Sequence, residues 1–449
     1  MDSPATTGFQ LSLQQKRVWK LQRAQQFVSQ IAILLQGELD QQRLHSALIK
    51  IFQRHQILRT FFQRSPGVEF PIQMVEENAA FSCFRSSLGE MKPGSEEDQV
   101  QSALRTQSEA DLLDGSALDV ALIDGAPDRH FVLFTLPAVC ADFVTLKNLV
   151  VELQEHYAGV VTITNQSQQY GDYTKWQSQL LQNNDAQSLD KLSFWKLQDT
   201  SSMTPLELSC QKTGGENAAF ATAAIPIRLP YSVLHRISPS TETLADWLLS
   251  AWQVLLWQLG GRPDFAIGFV SDGRGCEKFM NAMGLYAKTL PLRISMAPNR
   301  TFAECVRATG KMRASAIEHQ DYYERTDDSL PIGFVMEEEV SPQTVRGLRI
   351  SVYALRCEIE RFHLALKCLH SPDACVVELI YDPAYFEQDT VERISQQLSR
   401  ILAAGSSDPN STMASLLSLN VEPEESAEPF DPTAVHRPYG SSIDDQADE

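Results

Sequence analysis

The chain has 449 residues, 43% hydrophobic and 21% charged, an ordinary composition for a globular protein with material for two cores. Its formal net charge of −19 argues against a surface for nucleic acid or for an anionic membrane. No apolar run reaches the roughly 18 residues that a bilayer span requires, and Met1-Asp-Ser-Pro-Ala-Thr-Thr lacks the basic and apolar regions of a secretory signal, so a cytoplasmic protein is expected.

Eight cysteines, at positions 83, 140, 210, 276, 305, 357, 368 and 375, form no Cys-x-x-Cys pair and no Cys/His cluster at metal-ligand spacing. They read as reduced, mostly buried small apolar residues, and no metal site is expected.

In chain order, Val28 to Leu35 reads as a strand. Asp40 can cap the helix that follows, in which Leu44, Ala47, Leu48, Ile51 and Phe52 share one face. A polar stretch covers residues 86–108, and Ala121 to His130 reads as a hairpin leading into the most informative part of the chain. There a continuous apolar run beginning at Phe131 gives way to a period near 3.6, with Phe143, Leu146, Leu149, Val150 and Leu153 on one face. The pattern predicts strand, tight turn, helix. Its turn, Pro137 to Asp142, is a place where backbone amides and one or two side chains can face a cavity.

Gln179 to Thr200 is rich in Gln, Asn and Asp and reads as a crossover between two halves, with the boundary near residue 185. Short strands follow, then a helix from Thr243 to Gly261 with Leu244, Trp247, Leu248, Ala251, Trp252, Leu255 and Leu259 as its apolar stripe. Three tryptophans on one helix fit either core packing or an aromatic ligand box; helical spacing favours the core. Phe265–Val270, Pro331–Val335, Phe362–Lys367 and Val376–Asp382 read as strands, and Phe302–Glu318 as a helix. A last helix is expected to be capped by Asp389-Thr-Val-Glu392 and to bury Val391, Ile394, Leu398, Ile401 and Leu402. From Val421 the composition turns to a disordered acidic tail.

The order strand, turn with an aspartate, amphipathic helix resembles the central motif of the condensation domains of nonribosomal peptide synthetases, which reads His-His-x-x-x-Asp-Gly. Further signatures of that family are similar here: Ser12-Leu-Gln-Gln-Lys-Arg-Val-Trp19, Arg54-His55-Gln-Ile-Leu-Arg-Thr-Phe-Phe62 and Tyr170-Gly-Asp-Tyr-Thr-Lys-Trp-Gln177. So are Phe194-Trp195, Met283-Gly-Leu-Tyr-Ala-Lys-Thr-Leu-Pro-Leu-Arg293 and His319-Gln-Asp-Tyr-Tyr-Glu324. The resemblance spans residues 9 to about 405. It implies an α/β fold of two chloramphenicol-acetyltransferase-like subdomains in a V, residues 1–185 and 186–420, with the acidic tail at 421–449. It also implies a central tunnel entered from opposite faces by the phosphopantetheine arms of peptidyl or acyl carrier proteins, no bound cofactor, and a monomer.

The departures fall on the chemistry. Aligned on Asp142, Pro137 and Ala138 stand where the family has its two histidines, and Phe143 where it has glycine. The second histidine is the family's catalytic residue, and neither proline nor alanine can act as a base or hold an ammonium nucleophile. The resemblance gives Asp142 a structural role, tying the turn to Arg274 of Gly-Arg-Gly, with general base as the rival reading. Cys140 and His319 are the remaining tunnel candidates. Cys140 reads either as a nucleophile facing thioesters or as inert packing, since no histidine can be assigned as its partner. The family has a histidine at the position of His319 beside its catalytic one. The Phe143 ring is expected to narrow or close the tunnel.

Two functions follow from the resemblance. One is a condensation-like protein of nonribosomal peptide biosynthesis that lacks the usual catalytic histidine, binds carrier proteins and recruits a tailoring oxygenase or synthetase subunit. The other is an acyltransferase that still forms an amide or ester between carrier-tethered substrates, by positioning alone. Met1 and the polar end are those expected of a free-standing subunit.

Overall fold

Alternate residues of the central strand go to two different cores, and this sets the architecture of the first half. In Val28–Gln36, Ile31, Ile33 and Leu35 pack with Leu146, Leu149 and Val150, whereas Ala32 and Leu34 pack with Val100, Ala103 and Leu104. The strand is therefore apolar without a break from Ile31 to Leu35, because helices cover both of its faces. The computed structural model describes residues 6–22, 27–87, 95–109, 112–113, 117–160, 168–183, 185–198, 203–213, 220–227, 229, 233, 236–237, 243–324, 330–371 and 375–419. The acidic segment expected from Val421 lies outside the described residues.

The first six-stranded sheet runs β12 (Gln343–Val345), β13 (Leu348–Cys357), β2 (Val28–Gln36), β7 (Arg129–Pro137), β6 (Asp119–Asp124), β5 (Phe84–Ser87). β2 and β7 pair antiparallel from Val28 opposite Pro137 to Gln36 opposite Arg129. A second six-stranded sheet runs β10 (Lys288–Ser295), β9 (Asp264–Ser271), β11 (Ile332–Glu338), β14 (Leu364–His370), β15 (Cys375–Tyr381), β8 (Ala223–Ile227). β11 lies parallel to both its neighbours, and the other pairs in that sheet are antiparallel. A small sheet holds β1 (Thr6–Phe9), β4 (Ile72–Glu76) and β3 (Thr60–Gln63).

Late in the chain, an excursion leaves the second sheet for the first. β12 and β13 come late in the chain, yet β13 pairs antiparallel with β2 in the first sheet, with a bulge between Val352 and Ala354. The chain then passes to β14 of the second sheet. A boundary at residue 185 therefore does not assign strands to sheets by chain position, because residues 343–357 lie in the first sheet.

The helix Leu244–Gly260 starts at a capping box formed by Thr243 and Asp246 and stops at Gly261, whose φ of 68° is the left-handed conformation glycine tolerates. Its tryptophans are core: Trp247 and Trp252 are buried, Trp257 packs against the same cluster, and Trp252 Nε1 donates to the Gly333 carbonyl at 3.1 Å. The last long helix differs from its expected start. It runs Gln388–Ser407 with Glu387 as cap residue, and Glu387 makes no capping hydrogen bond with its side chain. Asp389 lies inside the first turn, where its charge meets the helix dipole, and Glu392 accepts from Gln388 Nε2 at 2.9 Å. The expected box of Asp389 and Glu392 is therefore not formed.

Candidate functional site

The turn after β7 is built to be dry. Pro137 ends the strand; Ala138, Val139, Cys140 and Ala141 have no exposed surface. The backbone of the turn is engaged from three sides. Ala138 N donates to Phe27 O at 2.9 Å, Gln15 Nε2 donates to Val139 O at 3.0 Å, and Ser29 Oγ donates to Ala141 O at 2.7 Å. Cys140 N closes the turn onto Pro137 O at 2.8 Å. Burial pushes the Cys140 thiol far above its ordinary value, which leaves it a small apolar residue in place of a nucleophile.

Asp142 caps the helix Phe143–Ala158 and is fully engaged. Oδ1 accepts from Thr145 N at 2.9 Å and Arg274 Nη2 at 3.0 Å. Oδ2 accepts from Arg274 Nη1 at 2.8 Å, Tyr286 N at 2.9 Å and Ala287 N at 3.0 Å. Five N–H donors on one buried carboxylate fix it as an acceptor and leave no lone pair aimed at a substrate proton. Arg274 is shared further, with donations to Asp272 O and Ala282 O, and its guanidinium lies 4.5 Å from the Tyr286 ring centroid. Burial opposes its charge, but Asp142, joined by Tyr286 and Asp272, outweighs it, so the guanidinium is held above its usual range. Gly273 (φ 69°) permits this approach: a Cβ there would lie 1.8 Å from Tyr286 O. Asp142 and Arg274 are thus brought together across 132 positions of sequence.

Beside this pair a cavity of about 720 Å³ opens between the start of that helix and the second sheet. Asp142, Phe143 and Lys147 line it from the helix, with Phe143 forming part of the wall. Residues 137–141 and His319, among them the two tunnel candidates Cys140 and His319, do not line it. For Cys140 the reason is the inward wrap of the turn. For His319 it is capture elsewhere: its ring stacks on Phe194 at 4.1 Å, and Nδ1 donates to Ser315 O at 2.8 Å. No histidine lines the cavity among the described residues. His55 is likewise committed, with Nε2 2.8 Å from Glu152 Oε1 in the core.

The opposite wall carries ionisable groups that the sequence reading missed. Glu337 on β11, Lys367 on β14 and Glu378 on β15 face the cavity, because register places Lys367 opposite both Val335 and Glu378. Lys367 Nζ is 3.4 Å from Glu337 Oε2. Burial lifts the Glu337 carboxyl above its ordinary range by more than Lys367 lowers it. Burial also pulls the Lys367 ammonium down, but Glu337 and Glu378 outweigh it, and its net shift is upward. One carboxylate is ion-paired with the ammonium and the other stands opposite it in register, in a sheltered space able to receive a proton or a cationic group. Nearby, the Phe362 ring lies on the sheet over Gly268 and Gly333, where a Cβ would come within 2.9 and 2.6 Å of it. Among the described residues no group of His, Cys, Asp and Glu could hold a metal ion, and no helix is long and apolar enough to cross a membrane.

The chain is similar to known proteins. The family model of the condensation domain matches residues 6–426. Surfactin synthase subunit 2 of Bacillus subtilis (strain 168) is 27% identical over 448 residues, covering 93% of this chain and 12% of that protein. Across the curated relatives considered, the chain spans between 6% and 15% of their lengths. The condensation domain from the monacolin K polyketide synthase MokA superposes with a TM-score of 0.78 at 20% identity, over 91% of this chain and 99% of that one. The X-domain in its complex with OxyB from teicoplanin biosynthesis gives 0.72 at 20% identity, over 94% and 98%. The α/β architecture of two chloramphenicol-acetyltransferase-like parts is shared with these structures. With a match over nearly its whole length, this chain belongs to the condensation-domain family.

Proposed function

We propose that the chain is a catalytically silent condensation-like protein of nonribosomal peptide biosynthesis, which binds a carrier protein and recruits or positions a tailoring enzyme. The observation that carries this reading is the turn: the positions of the histidine pair hold Pro137 and Ala138, sealed inside the fold, and no histidine lines the cavity among the described residues. Asp142, the remaining polar group of the motif, is saturated by Arg274 and backbone N–H groups. The relatives' names support peptide assembly as the setting, and the X-domain solved with OxyB supports a protein partner for this fold. The phosphopantetheine arm of a carrier protein would be the tether presented to the cavity.

One observation favours a second reading, an acyltransferase forming an amide or ester without a histidine base. The cavity is retained, and Glu337, Lys367 and Glu378 line it. Positioning alone can contribute on the order of 7–11 kcal/mol where the geometry is right.

The test loads donor and acceptor carrier proteins and follows product by intact mass for the wild type, Asp142→Ala and Ala138→His. The silent reading expects no product above background in the wild type, together with measurable binding of a carrier protein. Wild-type turnover would sink it. Ala138→His must fit an imidazole where no surface is exposed, at about 1–3 kcal/mol of stability. Product from that variant alone would mean that the cavity admits both substrates and lacks only the base.

A further inference from the structure

Cys368 and Cys375 lie on the adjacent strands β14 and β15. Register sets Cys368 opposite Val377 and His370 opposite Cys375, so the two thiols share one face of the sheet, one diagonal step apart. Their Sγ atoms are 3.4 Å apart, in contact and unbonded. The environments differ. Cys368 is completely buried, whereas Cys375 opens its strand and is half-buried. The hydrogen bond between the two holds the Cys375 thiol below its ordinary range and the Cys368 thiol above it. Burial pushes Cys83, Cys140, Cys210, Cys305 and Cys357 upward. A half-buried thiol with thiolate character and a fully buried neighbour within reach is the arrangement of an attacking and a resolving cysteine.

We propose that Cys375 and Cys368 form a thiol–disulfide exchange site for small-molecule disulfides such as oxidised glutathione. The Cys375 thiolate attacks one sulfur of the small disulfide, and the first glutathione leaves and takes up the proton that Cys375 gave. Cys368 then loses its proton, attacks Cys375 Sγ and expels the second glutathione. One glutathione disulfide is reduced to two thiols while two protein thiols are oxidised to one disulfide, so atoms and electrons balance. Closing the bond requires the sulfurs to move from 3.4 Å to about 2.05 Å, within a strand pair already in register. Lys367 and Glu378 are paired across the same two strands and line the cavity, so the bridge ties together the strands that carry them.

The test incubates the reduced full chain with oxidised glutathione, alkylates the remaining thiols, and reads intact mass and a peptide map. The wild type is expected to lose two of its eight thiols to a single bridge between Cys368 and Cys375. Cys368→Ala is expected to accumulate glutathione on Cys375, and Cys375→Ser to keep its remaining thiols. A wild type that retains all eight thiols, or a bridge between other cysteines, overturns the proposal. So does glutathione spread evenly over the cysteines of Cys368→Ala. The wild-type map stands on its own should either variant fail to fold.

Discussion

Asp142 and Glu337 line the same cavity and are treated in opposite ways. Asp142 receives five N–H donors, two of them from a bidentate arginine, with its side chain 1% exposed. Glu337 Oε2 is enclosed without a well-formed hydrogen bond among the described residues, and its ion-pair partner Lys367 stands 3.4 Å away. A carboxylate surrounded by fixed donors serves geometry: it holds the helix start to the loop bearing Arg274 and the segment Tyr286–Ala287. A carboxylate enclosed with half a partner keeps its charge adjustable and serves whatever enters. The fold has spent its rigidity on the first wall and left the second responsive.

The largest expected effect comes from breaking the rigid side. Asp142→Ala leaves Arg274 buried without a counter-charge, and should cost about 3–5 kcal/mol in urea unfolding. Asp142→Ala combined with Arg274→Met should recover part of that loss. A single variant that unfolds at the wild-type urea concentration would remove the contrast between the two walls.

The responsive side is read by pH. The Glu337 carboxyl lies above its ordinary value of 4.5, so folding favours its protonated form. Its contribution is complete below that ordinary value and is lost as pH rises through the raised one. Glu337→Gln has no proton to lose. Its melting temperature relative to the wild type should therefore climb as pH rises above 4.5, each tenfold change in proton affinity being worth about 1.4 kcal/mol. A difference that stays flat across that range would show Glu337 to be solvated like a surface carboxylate.

The smallest effect is expected at the cavity mouth. Lys147 pairs with Glu338 at 2.6 Å, but Glu338 is 71% exposed. Water and salt screen such a pair, and Lys147→Met should change stability by only about 0.2–1 kcal/mol. A loss as large as that of Asp142→Ala would mean that the mouth, too, is part of the rigid frame.

Much of the rigid wall was legible from residue types. The apolar run from Phe131, the stripe Phe143-Leu146-Leu149-Val150-Leu153 and an aspartate at the junction specify strand, turn and capped helix by local rules alone. Arg274 came into view through the family resemblance, because no local rule joins residues 132 positions apart. The responsive wall was not legible. Glu337, Lys367 and Glu378 look like solvent-facing positions of three strands, and pairing register alone turns them toward one space. β13 escaped for a related reason: its bulge at Val352–Ala354 spoils the alternation that marks a strand, and its partner β2 lies far upstream. His319 misled because a histidine's position in a motif says nothing about the Phe194 ring that holds it. The start of the last helix was misjudged because Glu387 and Asp389 are both acidic, and composition alone does not fix the register of a cap.

The crossing of β13 into the sheet of β2 bears on how members of this fold could be cut and recombined. A fragment ending near residue 185 would leave β2 as a naked, greasy border, ready to zip onto any passing strand. The complementary fragment would carry a ribbon, residues 343–357, with no host. Chimeras that swap front and back portions between relatives should therefore graft this ribbon along with the sheet it completes, in defiance of linear order.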